Sequence, residues 1–290
     1  PRGPVYLTMP REVLASGMEA PAPSPVRGAG GTTSPYPDLN AIDEAAALLA
    51  AAERPLIIAQ SSGQDVTSVP ALAALAERFA IPVVQYRPRY LCLPASHPMH
   101  LGFEPGPLLE QADVVLVVNA TVPWLPDQTS PKDEAKIIHM APDPLFENLP
   151  IRAFPSDIAI TCSATPGLRA LDAALEQFEV SAKQRIDTRR AALSETRAAQ
   201  RENWANAVER AKSETPISPV WLTHCISEVR GEDTIIINEA RMPVPFMEME
   251  IPGTYLNAGH AGGLGWGLGT AVGAKITTVL WFDDKGTVII

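Results

Sequence analysis

ERPLIIAQSSG, residues 53–63, contains four consecutive apolar residues, 56–59, that stop abruptly at a turn of glutamine, serines and glycine. A strand with one wet face would alternate apolar and polar residues, whereas an unbroken apolar run buries both faces. The same signature returns in DVVLVVNA (113–120), KIIHM (136–140) and DIAIT (157–161), with a shorter segment at 82–86. Helical spacing fills the intervals at 41–52, 69–79, 108–111 and 165–178. Buried strands alternating with amphipathic helices predict an α/β fold, a parallel-sheet three-layer central domain over residues 38–180.

Bulk properties narrow the function. The 290 residues, 46% hydrophobic and 19% charged, suffice for about two packed domains. A net charge of −10 leaves no concentrated basic face, so no nucleic-acid partner is expected. Cys92, Cys162 and Cys225 are too scattered for a disulfide framework or a paired-thiolate zinc site and read as reduced core residues. No histidines sit four apart as a metal pair; His97 and His100 share a proline-bearing loop. There is no GxSxG elbow, no secretory leader pattern and no confident membrane span, so the expected location is the cytoplasm.

Outside the central domain, residues 1–37 begin with a strand-like run at 5–8 and continue into a proline-, glycine- and serine-rich linker over 19–37. Residues 181–216 form a highly charged connecting helix, its charges most simply a solvated face. A second unit, 217–290, opens with Ser218 as N-cap and Pro219 in the first helical turn, then a strand at 234–238 ending in the polar Glu239.

Ligands of a parallel sheet bind beyond its strands' carboxyl ends, here 60–64, 87–89, 119–124 and 141–143. Arg87 and Arg89 are candidates for a phosphate contact or are simply solvated loop arginines, and no G-x-G-x-x-G fingerprint is present. The denser signal is NAGHAGGLGWGLGTAVGAK, 257–275, with seven glycines in nineteen positions. Gly265, Gly269 and Gly273 recur every four residues in one row of a helix, while Gly262 and Gly263 precede it, where free amides favour an anion or a polar ligand edge. A ligand-binding helix start, a packing interface and a membrane piece are the three readings.

PRGPVYLTMPREVL (1–14) resembles the end of the pyrimidine-binding domain in thiamine diphosphate-dependent enzymes of the acetolactate synthase and benzoylformate decarboxylase family. ERPLIIAQSSG resembles the opening of that family's central domain; NEA (238–240) and PGTYLNAGHAGGLGWGLGTAVGAK resemble the start of its diphosphate-binding domain. The resemblance implies a central domain followed by an incomplete second α/β domain. It implies cofactor contacts at Glu239, Ala240, Arg241, Gly262, Gly263 and Leu264. Gly262 would accept from the aminopyrimidine through its carbonyl, Leu264 would prop the bent cofactor, and Ala240 and Arg241 would lie along the diphosphate. The cofactor supplies the ylid and electron sink, and the protein supplies geometry and electrostatics.

The resemblance also sets departures. The family's activating glutamate would lie upstream of Pro1, and no GDG...N magnesium motif follows a helix expected to end near Lys275. ITTVLWFDDKGTVII reads instead as a strand ending in Asp283 and Asp284, with Asp284 either a Mg2+ ligand or part of a solvated hairpin turn. The expectation is a fragment of a 2-oxo acid decarboxylase or carboligase, weak in cofactor binding and turnover by itself, from a homodimeric or homotetrameric enzyme. No residue of this chain is assigned as catalytic; His260 is either an acid–base group or a structural histidine. Phe103, Glu104 and Trp124 are open between core and pocket. The alternative is a noncatalytic module holding FAD, ADP or coenzyme A in its central sheet, or an interaction subunit.

Overall fold

The computed structural model describes residues 8–17, 33–147, 149, 154–239, 242–258, 263–281 and 288–289. Two units are distinguished, residues 1–34 and 35–290. Within the first, one short helix is described, α1 (Arg11–Ala15).

The second unit opens with α2 (Leu39–Ala51), whose N-cap Asp38 accepts from the amides of Asn40 and Ala41 at 2.8 and 3.1 Å. There follow β1 (Pro55–Ala59), α3 (Ser68–Phe79), β2 (Val83–Val84), α4 (Gly106–Leu109), β3 (Val114–Val118), β4 (Lys136–Ala141), β5 (Ile158–Thr161) and α5 (Ala164–Glu176). All five strands are parallel, in the order β2-β1-β3-β4-β5, with Ile57 beside both Val83 and Leu116. The apolar runs of β1 and β3 are buried on both faces, as their sequence requires, whereas β5, expected to be the same, lies at the sheet edge and leaves Ala159 and Thr161 exposed. One face carries α2, α3 and α5, which pack Ile42, Leu49, Leu72, Leu75, Leu168 and Leu171 onto Ile57, Leu116 and Ile138. The other layer is thinner than helices on both faces would give: it consists of the four-residue α4 and the segment 119–135, anchored by Trp124. Trp124 is therefore core, its ring edge-on to Phe154 at 5.2 Å.

Residues 179–211 form α6 (Glu179–Ala211), a single helix of 33 residues. Its charge is only in part a solvated face. Arg189 donates to the carbonyls of Phe79, Ala80 and Ala52 at 2.6, 2.8 and 3.1 Å; Arg185 reaches Ala50 at 2.8 Å and Arg190 reaches Arg78 at 3.2 Å. Those carbonyls lie at the C-terminal ends of α2 and α3, where the last turn has no helical partners and the dipole favours a cation. Burial pulls Arg189 down to about 10, which leaves it charged at neutral pH. Charge composition shows that such a helix is polar, and only the neighbours decide which arginines face protein.

The chain continues as α7 (Pro219–Val229), β6 (Ile235–Asn238), β7 (Tyr255–Asn257), α8 (Trp266–Trp281) and β8 (Val288–Ile289). A second parallel sheet is ordered β7-β6-β8. Ser218 holds the expected N-cap position in an extended conformation, but its side chain makes no capping bond. The strand expected over 276–282 is contradicted, because α8 runs through to Trp281. The β-branched run is kept helical in continuity with the preceding turns, and Thr277 Oγ1 returns a bond to the Gly273 carbonyl at 2.9 Å. Asp283 and Asp284 lie outside the described residues.

Replacing Arg189 by alanine strips three carbonyls of their donor and is expected to lower the unfolding free energy by about 2–4 kcal/mol, with Arg189→Lys recovering part of it. Urea denaturation of the three proteins measures this.

Candidate functional site

In an open parallel sheet the ligand crevice forms where the strand order reverses, here between the C-terminal ends of β1 and β3. This crevice is laced by the chain itself. Gln60, 1% exposed, accepts from Thr121 N at 3.0 Å and donates to the Tyr86 carbonyl at 3.4 Å. Arg89 N donates to the Gln60 carbonyl at 2.9 Å, and Ser61 N to that of Asn119 at 3.1 Å. The β1 turn packs so closely that a Cβ on Gly63 would collide with the Leu91 carbonyl. Arg87, exposed and with φ of +47°, lies over the Tyr86 ring at 5.3 Å.

The same loop reaches the second sheet. Asn257 N donates to the Arg89 carbonyl at 2.9 Å, and Tyr90 forms an antiparallel bridge with Leu256. The carboxyl ends of β6 and β7 are held level by a buried network in which Asn238 faces Asn257 in register. Asn238 Nδ2 donates to the Met242 carbonyl at 2.9 Å and to Tyr255 Oη at 3.1 Å, while Asn238 Oδ1 accepts from Met242 N at 2.8 Å. Asn257 Nδ2 donates to the same Tyr255 oxygen at 3.1 Å, and burial pushes that phenol up to about 12.

From these level ends the chain leaves toward the glycine stretch. The Glu239 carboxylate crosses to the start of α8, where it accepts from the amides of Gly265 and Gly267, the latter at 2.7 Å. Gly265 has a φ of +88°, a conformation open to glycine at little cost. Leu264 between them is 98% exposed, and a Cβ built on Gly263 or Gly265 meets no atom within 4 Å. The side of the chain where side chains would stand at 263 and 265 faces open space. So do Gly269 and Gly273, where a built Cβ likewise meets nothing within 4 Å. The packing reading of this glycine row therefore finds no partner among the described residues. Exposed Leu268, Val272 and Ile276 continue the line of Leu264 at four-residue intervals.

Glu239, Gly263 and Leu264 are thus brought together at one helix start. Ala240, Arg241, His260, Gly262 and Asp284 lie outside the described residues. Among the described residues no three His, Cys, Asp or Glu gather as a metal site, and no helix is long and apolar enough to cross a membrane. Cys92 and Cys162 are buried, Cys225 is half-buried, and all three are free.

One group escaped sequence reasoning. His100, 2% exposed, accepts from Gly102 N at Nδ1 at 3.4 Å, while its Nε2 has no hydrogen-bond partner among the described residues. It lines a crevice between the central sheet, α6 and the segment 244–249, with free space of about 10 Å³, roughly one water. Phe103 belongs to this wall, 5.0 Å from His100 and 6.2 Å from Trp204. Proline spacing around His97 and His100 indicated a loop and gave no sign of burial.

Comparison with known proteins now bears on this arrangement. The family described as "Thiamine pyrophosphate enzyme, central domain" matches residues 42–171. The whole chain is similar to the "Probable acetolactate synthase large subunit" of Methanocaldococcus jannaschii, 26% identical over 94% of this chain and 48% of that protein. It is similar as well to the sulfoacetaldehyde acetyltransferase of Roseovarius nubinhibens, 28% identical over 98% and 51%. The fold matches benzoylformate decarboxylase from Polynucleobacter necessarius with a TM-score of 0.67, 18% identity, and coverage of 93% of this chain and 49% of that one. The chain thus spans about half the length of the relatives it matches.

Desolvation lowers His100 to about 3, with nearby Arg197 acting in the same direction. The unfolded chain binds this proton near pH 6.5 and the native chain does not, so stability is full above pH 6.5 and falls as pH drops from there toward 3. The expected loss at pH 5 is about 2 kcal/mol, and His100→Phe flattens this part of the profile. Urea midpoints between pH 4.5 and 7.5 provide the measurement.

Proposed function

We propose that the chain forms part of a thiamine diphosphate-dependent 2-oxo acid decarboxylase or carboligase, with the pyrimidine half of the cofactor seated against residues 262–264. The observation that carries this reading is the open space where Gly263 and Gly265 have no side chains, around a Leu264 that is 98% exposed. A fully exposed isobutyl group between two glycines that carry no side chains leaves room for a flat heteroaromatic ring to lie against it. When bound, the cofactor supplies the carbanion and the electron sink. The chain's own part is to prop the ring at Leu264, to accept from its amino group at the Gly262 carbonyl and to exclude water beneath it. Ala240 and Arg241 are assigned to the diphosphate and Asp284 to Mg2+, on the resemblance.

The printed activities of the relatives, acetolactate synthase and sulfoacetaldehyde acetyltransferase, support a small carbonyl substrate and a transfer or carboligation outcome. The row of exposed Leu268, Val272 and Ile276 along α8 supports a second copy of the chain against this helix, in a homodimer or homotetramer. A nucleotide in the central sheet is disfavoured, since Gln60 bridges the crevice that FAD, ADP or coenzyme A would use.

Titration calorimetry with thiamine diphosphate and Mg2+ tests the assignment. Leu264→Ala is expected to weaken binding about tenfold, the value of an apolar contact of about 1–2 kcal/mol, with the thermal midpoint unchanged because the side chain touches little. Equal affinity in both proteins, or no binding at millimolar cofactor, overturns the seat at 262–264.

A further inference from the structure

A helix that begins with free amides is an anion site, and a phosphate placed there gains both hydrogen bonds and the favourable end of the dipole. The start of α8 is different because an anion of the protein's own already occupies it. Glu239 arrives from the carboxyl end of β6, and its two carboxylate oxygens accept from Gly265 N and Gly267 N. Those amides flank Trp266, the first residue of α8, and Gly265 directly follows Leu264. The contact spans 26 and 28 residues of sequence, so it ties the end of one sheet strand to the start of a helix.

We infer that Glu239 is a positioning residue: its carboxylate fills the anion position at the start of α8, so this helix end presents Leu264 to the neutral pyrimidine half of the cofactor and refuses the diphosphate. The inference rests on the reading proposed above and sharpens it. Two consequences follow from charge alone. A second anion approaching within 4–5 Å of a carboxylate meets repulsion that the half-charge of a helix end does not overcome in a partly solvated site. A neutral ring edge meets no such penalty. The positive φ of Gly265 holds the turn in the shape that brings both amides to one carboxylate, and the level ends of β6 and β7, set by Asn238, Tyr255 and Asn257, hold Glu239 at the right height.

The test uses the whole chain, labelled with 15N, and follows the amide resonances of Gly265 and Gly267. Inorganic pyrophosphate at millimolar concentration is the probe. In the unsubstituted chain these two amides are expected to stay unmoved. In Glu239→Ala they are expected to exchange with solvent at least about tenfold faster, the equivalent of about 1.4 kcal/mol for a charge-assisted bond, and to shift on adding pyrophosphate. Glu239→Gln keeps the shape without the charge and guards against misfolding: protection is partly retained while the pyrophosphate shift still appears. Pyrophosphate shifts of equal size in the unsubstituted chain overturn the inference, and so do unchanged amides in both variants. These readouts need no bound thiamine diphosphate, so failure of the cofactor assignment would appear separately in calorimetry, with the Glu239 contact intact.

Discussion

A peptide group buried without a partner costs about 1–3 kcal/mol, and a parallel α/β chain creates many such groups, because every strand and helix ends inside a crowded rim. In this molecule a few long polar side chains meet that demand. Arg189 covers three carbonyls at the ends of α2 and α3. Gln60 covers an amide and a carbonyl at the reversal of strand order. Gln85 accepts from Cys92 N and Leu93 N at 2.7 and 3.2 Å and donates to the Leu93 carbonyl at 2.8 Å. Asn238 and Glu239 do the same for the second sheet and α8. The architecture stands because each of these ends is answered.

This shared device also separates the two sheets by role. In the central sheet the side chains turn inward and lace the crevice, leaving a scaffold. Beside the second sheet Glu239 reaches the amides of Gly265 and Gly267, while the side of the turn where side chains would stand at 263 and 265 is left open. The family match covers the scaffold, residues 42–171, while the uncovered turn lies well beyond it. The link between them is short: the Arg89 carbonyl holds Asn257 N, and two residues later the glycine stretch begins.

Burial on both faces writes itself into a strand as an unbroken apolar run, so β1, β3 and β4 were legible from residues alone. The thin second layer was not, because Trp124 reports hydrophobicity without saying that a loop carries it. Ile276 to Val279 was misread because β-branched residues favour strands when nothing else intervenes, and here helical continuity intervened. The glycine stretch stood out by composition, while its three readings could not be separated from the letters alone. Glu239 was legible only as a polar strand end: its partners are 26 and 28 residues away, and no local rule connects them. His100 and Arg189 were invisible for the same reason, being defined by what packs over them.

The long α6 helix makes two sets of attachments. Arg185 and Arg189 hold the ends of α2 and α3, while further along Arg197 reaches the Ala95 and Ser96 carbonyls and Arg201 pairs with Glu248 at 2.8 Å. One residue added between positions 189 and 197 would turn the later arginines by about 100° around the axis and leave every one of them aimed at the wrong neighbour. Even a seven-residue insertion, which restores the same face, would carry the later arginines about 10 Å along the axis and past their partners, so the length of this stretch is held more tightly than the identity of its exposed residues.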